Sequence, residues 1–206
     1  MTDIIKNLSS RIMPTADTTV YTVPSSKYAV VKSLTMSNNS ATAQTINVTI
    51  GGIRLMINYV VPAKDSLVIN DLDIPMIQGE TIQVRSTEAG NNTAMSFVGF
   101  ERDYVASEYP YVKLNGLVQA TATTLFTASG GDWILKRLII TCLSGNVMKF
   151  YTSISAVSFI DYQLNPWDTL YVPLQRLVGN GTSILGTAVG LNNSLTYGLV
   201  LEKVVT

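Results

Sequence analysis

The chain contains no histidine, a single cysteine and little charge: Asp, Glu, Lys and Arg together make up 14% of its 206 residues. Without an imidazole there is no Ser-His-Asp or Cys-His nucleophile, no ordinary zinc site and no neutral-pH switch of the usual kind. Cys142 has no partner for an intramolecular bridge and follows the apolar run Leu138-Ile139-Ile140. Its expected state is a reduced, buried small hydrophobe rather than a nucleophile, since a Cys without a basic partner is a poor one. Basic and acidic residues number 14 each and no Lys/Arg run occurs, so the phosphate contacts that dominate nucleic-acid binding have no basis. No stretch approaches about 18 consecutive apolar residues, and no cationic segment leads into an apolar one. Neither a membrane span nor a cleaved leader is therefore expected. Helical periodicity of convincing length is also missing.

What is present is β-forming sequence on an uncharged polar background. Hydrophobic residues make up 47% of the chain, an ordinary share, whereas soluble domains usually carry about 25% charge. Ser, Thr and Asn fill the gap. A neutral, hydroxyl- and amide-rich surface with zero net charge favours association over colloidal repulsion. The same surface also suits a stable secreted β domain.

The chain is written twice. Residues 20–38, VYTVPSSKYAVVKSLTMSN, return about a hundred residues later as 125–142, LFTASGGDWILKRLIITC, with Val30-Val31-Lys32-Ser33-Leu34 echoed by Ile134-Leu135-Lys136-Arg137-Leu138. Pro62-Ala63-Lys64-Asp65 is matched by Asn165-Pro166-Trp167-Asp168, Gly79-Glu80-Thr81-Ile82 by Gly181-Thr182-Ser183-Ile184, Asn91-Asn92 by Asn192-Asn193 and Glu101 by Glu202. Self-similarity at a fixed separation sets the architecture. Within the first copy, turn signals recur about every 8–12 residues, the spacing of a sandwich or barrel. Residues 20–37 read as an opening hairpin turned at Pro24-Ser25-Ser26-Lys27. TINVTI (45–50) alternates with period two, and residues 53–61, 66–69, 81–86 and 94–101 read as further strands. The expectation is an all-β chain of two tandem antiparallel β-sandwich, jelly-roll-like modules related by internal duplication. Residues 1–103 form the first with an N-terminal arm, 104–112 a Tyr-rich linker, and 113–206 the second. In the arm, Ile4, Ile5 and Leu8 mark a turn of helix, a docking segment or a first edge strand.

The phrases VYTVPSSKYAVVKSLTMSN, VPAKDSLVI, QGETIQVRSTEAG and the closing FVGFE resemble the small β-sandwich (jelly-roll-like) virion proteins of tailed bacteriophages. The match covers most of the first module. The second departs from it, with Ala128-Ser129 in place of Val23-Pro24 and Ile184-Leu185-Gly186 in place of the Ile-Gln-Val strand. The resemblance implies a structural role in the neck, tail, baseplate or capsid surface, in several copies, within a virion assembled in the bacterial cytoplasm. It supplies no catalytic residues.

For chemistry, Asp161 and Asp168 beside Trp167 are the best candidates for a glycosidase pair. Asp168, however, has its counterpart in Asp65 at the same turn, which fits backbone capping. Asp71, Asp73 and Asp168 offer hard oxygen ligands for calcium without the dense spacing of a dedicated loop. Gly130-Gly131 and Gly179-Asn180-Gly181 open no helix and so make no phosphate cradle. No enzyme, catalytic residue, metal or cofactor is therefore expected. The candidate contact residues are Ile4, Ile5, Leu8, Tyr104, Tyr109, Tyr111, Trp133 and Trp167, because exposed Tyr and Trp are enriched in interfaces and sugar platforms. Tyr104, Tyr109 and Tyr111 fit packing at the linker equally well, and Trp133, aligned near Tyr28, fits a core or rim position. The expected partners are copies of the same chain and other virion proteins, with no nucleic acid and no membrane. The alternative is an adhesin module binding a host-surface glycan through Trp133 or Trp167, and the weaker alternative a glycan hydrolase.

Overall fold

The computed structural model describes residues 4–86, 92–155, 157–190 and 194–204; Asn91 and the matched Asn192-Asn193 lie outside these. The chain divides into two compact units, Met1–Tyr109 and Pro110–Thr206, and among the described residues every regular element is a strand. The first unit contains β1 (Lys6–Ile12), β2 (Thr18–Thr22), β3 (Lys27–Asn38), β4 (Gln44–Ile50), β5 (Ile53–Val61), β6 (Ser66–Ile69), β7 (Ile74–Ile77), β8 (Thr81–Ser86) and β9 (Thr93–Asp103). One sheet has the order β1-β9-β3, with β6 and β7 both paired to the far side of β3; the other is β2-β8-β4-β5. The second unit contains β10 (Tyr111–Val118), β11 (Thr123–Thr127), β12 (Trp133–Cys142), β13 (Met148–Ile154), β14 (Val157–Leu164), β15 (Thr169–Val178), β16 (Ser183–Val189) and β17 (Leu195–Lys203). Its sheets are β10-β17-β12-β15 and β11-β16-β13-β14. Counting β6 and β7 as one edge, the counterpart of β15, the two units have the same strand order. Two antiparallel four-stranded sheets threaded in this order make a jelly roll, so the protein is two tandem jelly rolls.

The duplication extends to single hydrogen bonds. In the turn after β5, the Asp65 amide donates to the Pro62 carbonyl at 3.3 Å, and the Asp65 carbonyl accepts from the Asn38 amide at 2.9 Å. After β14, Asp168 donates to Asn165 at 3.2 Å and accepts from Cys142 at 2.9 Å. Lys64 (φ 59°) and Trp167 (φ 61°) occupy the same left-handed position. The Gly79 amide donates to Val23 and the Val23 amide to Glu80; Gly181, Ala128 and Thr182 repeat both bonds. Both glycines are left-handed, at φ 81° and 79°, a region that costs glycine nothing.

The echo around Lys32 and Lys136 is a pair of β-bulges. The β3–β9 register shifts between Val31 and Ser33, and the β12–β17 register between Leu135 and Arg137. The extra residue moves the inward-facing set by one. Val31, Leu34 and Met36 are fully buried in the first unit, as are Leu135, Leu138, Ile140 and Cys142 in the second. A bulge frees its own side chain from the alternation. Lys32 uses that freedom to pair with Asp73, and Lys136 to pair with Glu202 at 3.0 Å. Elsewhere the alternation is regular: Ile46, Val48 and Ile50 of β4 point inward while Thr45, Asn47 and Thr49 do not. Phe97, Leu34, Ile46 and Ile53 anchor the first core, and Phe150, Leu138, Leu199 and Ile184 the second. Each such side chain contributes about 1.5–3 kcal/mol by leaving water.

Several sequence expectations need correcting. Residues 20–37 are strand, turn, strand but not a hairpin: β2 pairs with β8 and β3 with β9, in different sheets. The chain crosses the sandwich at Pro24-Ser25-Ser26. Of the three readings of the arm, Lys6–Ile12 takes the first edge strand, paired to β9 with Leu8 inside it. β7 was unforeseen because Pro75 argues against a strand interior; an edge tolerates it. Tyr111 is the first residue of β10.

Candidate interaction surfaces

The carboxylates singled out from the sequence have different surroundings. The Asp168 carboxylate accepts from the following amide, Thr169, at 2.8 Å, as Asp65 does from Ser66 at 2.8 Å. Both carboxylates hold a turn. Asp161 lies exposed on β14 opposite Tyr151, and its counterpart Asn58 spends its backbone amide on the Asn47 side chain at 2.6 Å. Asp73 is engaged by Lys32. Among the described residues no three His, Cys, Asp or Glu side chains gather where a metal ion could be held. Cys142 is fully buried, its thiol 3.5 Å from the Ser144 carbonyl and 3.6 Å from that of Asn146.

The strongest electrostatic feature is on the first unit, where Glu101 of β9 joins the two sheets. Its carboxylate accepts from the Tyr21 hydroxyl of β2 at 2.7 Å and from Lys6 of β1 at 2.6 Å. Burial works to raise the Glu101 pKa. The hydrogen bonds from Lys6 and Tyr21, with the positive charges of Lys6 and Lys27, outweigh it and hold the group below the usual range. Burial and the same carboxylate push the Tyr21 hydroxyl up. These groups clasp the sandwich; none is poised to transfer a proton at neutral pH.

The sequence-selected contact residues divide. Ile4 and Ile5 are exposed by 83% and 54% and precede β1, whereas Leu8 is half-buried. Tyr109 packs edge-on against Tyr28 at 5.2 Å and beside Tyr104 at 5.4 Å, so this pair caps the first unit while Tyr104 keeps an exposed edge. Tyr111 is half-buried in β10. Trp133 lies edge-on to Phe126 at 5.8 Å, donates its indole N–H to Ser129 at 3.2 Å, and packs on the second core. It is a rim residue, as its alignment near Tyr28 suggests. Trp167 is half-buried on its left-handed turn.

Residues not selected from sequence dominate the exposed apolar surface. Ile12 of β1, Val60 of β5, Val68 of β6, Ile77 of β7, Leu117 of β10, Val157 and Tyr162 of β14, and Leu177 of β15 are each more than two-fifths exposed. All eight lie on sheet edges. Among the described residues, the other strand-borne member of this set is Val189, at the end of β16. No sequence signal marks them, because edge and centre are distinguished only by the strand order. On the outer face of β13 and β16 an open groove of about 270 Å³ is lined by Tyr151, Ser153, Ser158, Leu185 and Thr187 with Ala122.

No family model and no curated protein matches the chain. Among solved structures it is similar to the major capsid protein P2 of bacteriophage PM2, at 10% identity and a TM-score of 0.39, covering 100% of this chain and 98% of that one. It is also similar to a chain in the structure of Sulfolobus Turreted Icosahedral Virus, at 14% identity and a TM-score of 0.30, covering 97% of this chain and 59% of that one. A third likeness is to HutD of Pseudomonas fluorescens SBW25, at 9% identity and a TM-score of 0.27, covering 96% and 80%. At such TM-scores and identities these likenesses carry no weight for function.

Proposed function

We propose that this chain is a non-enzymatic structural subunit of a virus particle, acting by packing its sheet edges against copies of itself and neighbouring virion proteins. The observation that carries the reading is the placement of exposed apolar side chains. Ile12, Val60, Val68, Leu117, Val157, Tyr162 and Leu177 sit on edge strands, where unpaired backbone groups already invite another chain. Two further features support it. Zero net charge and 14% charged residues leave little repulsion between copies. Of the Asp161–Asp168 pair best suited to chemistry, Asp168 is spent on a turn, as its counterpart Asp65 is in the first unit.

The resemblance of the first module to tailed-phage virion proteins makes the neck, tail, baseplate or capsid surface the natural setting. Contacts of about 1,200–2,000 Å² per pair are expected for such a subunit. Quantitative mass spectrometry of purified particles from the virus that encodes the chain tests the reading. The expected result is this chain at a fixed, multiple copy number per particle; its absence from intact particles overturns the reading.

A further inference from the structure

Strand β14 differs from every other long edge. The edge strands of more than five residues are β1, β5, β10, β14 and β15. β1 carries Lys6 and Arg11, β5 Arg54, β10 Lys113, and β15 Pro173 and Arg176. Lys, Arg and Pro are the residues that keep sheet edges from recruiting another strand. β14, with the sequence VSFIDYQL, has none of them, and its one charge is Asp161.

Its pairing with β13 is interrupted once, where Thr152 faces Ile160 and Ser153 faces Ser158. The skipped residue, Phe159, is covered by the Arg176 guanidinium, 5.2 Å from its ring. Beyond that bulge, Ile160 to Leu164 run in unbroken register against Thr152 to Met148. The free edge therefore presents a regular five-residue strand whose midpoint is Tyr162, itself 43% exposed.

We infer that β14 pairs antiparallel with β14 of a second copy, with Tyr162 on the two-fold axis, joining two four-stranded sheets into one of eight. The inference rests on the proposed role as an assembling subunit and names the contact. Centring on Tyr162 uses the whole regular run. Tyr162 then faces its own copy, each Ile160 faces a Leu164, and each Asp161 faces a Gln163. The outward row continues to Lys149, which is exposed and faces Gln163 within its own chain. Each Asp161 thus joins the copy's row two strands from a lysine of opposite sign. A slip of one position centres the pair on Asp161 and sets two carboxylates against each other, which is destabilising. Charge therefore disfavours that slip, while the opposite slip, onto Gln163, pairs only residues 162–164 of the regular run.

Directly opposed residues lie about 4.5–5.5 Å apart at Cα, within disulfide range, while the two Asp161 residues in this register lie about 8 Å apart, beyond it. The test uses the full chain and the variants Tyr162→Cys, Asp161→Cys and Tyr162→Lys, each confirmed folded by circular dichroism. The expected mass of the wild type by light scattering is twice 22.4 kDa, or an even multiple. Under mild oxidation, Tyr162→Cys links into a covalent dimer while Asp161→Cys and the wild type, whose Cys142 is buried, do not. Tyr162→Lys sets like charges face to face and weakens the dimer by at least about tenfold. An oligomer that persists while Tyr162→Cys stays unlinked, or while Tyr162→Lys leaves its mass unchanged, overturns this contact and leaves the assembly role standing. Linking through Asp161→Cys instead overturns the register. A monomer at every concentration overturns both the contact and the role.

Discussion

The first unit holds a buried polar network that the second replaces with apolar side chains, and this predicts a large difference between single and concerted substitutions. Asn38, Gln44 and Ser86 are buried to 2% exposure or less. The Asn38 amide group donates to the carbonyls of Thr42 (2.9 Å), Val61 (3.1 Å) and Pro62 (2.8 Å), and its carbonyl accepts from the amide and hydroxyl of Ser40. Ser86 donates to Gln44 at 3.0 Å, and Gln44 reaches Ser40 at 3.3 Å. The counterparts by register are Cys142, Met148 and Ala188, all buried.

Asn38→Ala leaves several buried groups without their partner at about 1–3 kcal/mol each, partly relieved by bonds such as Asp65 to Pro62. A net loss of about 3–5 kcal/mol is expected. Gln44→Met with Ser86→Ala copies the second unit at these two positions and removes both partners of one buried bond together, so its cost should stay below about 2 kcal/mol, whereas the groups Asn38 satisfies remain in either variant. Trp133 and Trp167, the chain's two tryptophans, both lie in the second unit. In a urea titration, tryptophan fluorescence therefore reports that unit, and loss of far-ultraviolet dichroism not shared with it reports the first. Asn38→Ala should move the dichroism transition and leave the fluorescence transition in place. A cost of Asn38→Ala below about 1 kcal/mol, or a Gln44→Met/Ser86→Ala variant less stable than Asn38→Ala, refutes the reasoning.

Further outcomes follow from the same geometry. Gly99→Ala places a Cβ against the backbone carbonyl of Val30, which has nowhere to go; the first unit should lose more than about 3 kcal/mol, read in the same titration. Asp65→Ala and Asp168→Ala each remove one charge-assisted turn bond and should cost about 1 kcal/mol, the half-buried Asp168 more than the exposed Asp65. Turnover of any glycan that disappears with Asp168→Ala would contradict the turn role. Because the folded pKa of Glu101 is depressed, its contribution is complete above the unfolded value of about 4.3 and fades as pH falls through the folded value. Urea midpoints should drop on acidification below about pH 5, and Glu101→Gln should flatten that drop; an unchanged acid limb would show that the Lys6–Glu101–Tyr21 clasp adds nothing.

How much of this was legible beforehand varies by feature. The repeat of Val31-Lys32-Ser33-Leu34 in Leu135-Lys136-Arg137-Leu138 was visible as text, and its apolar spacing of three is the trace of the bulge. Its meaning needed the β9 and β17 registers. The turns at Asp65 and Asp168 were readable because Pro, Asp and Asn mark such turns chemically. The crossing between β2 and β3 was not, because a strand–turn–strand phrase looks the same whether it stays in one sheet or passes to another. Trp133 packs on the second core beside Phe126, whereas the exposed apolar edges carry no mark in the sequence. Val60, Val68, Tyr162 and Leu177 look like any strand residue until strand order puts them at a boundary.

The central claim is that these boundaries are contact surfaces, and amide hydrogen exchange at low and high protein concentration tests it most directly. The account predicts that amides of the edge strands, with Ile160 to Leu164 of β14 foremost, exchange at least about tenfold more slowly in the concentrated sample. Central strands β3, β9, β12 and β17 should be unaffected. Edge amides that exchange at the same rate at every concentration would contradict it.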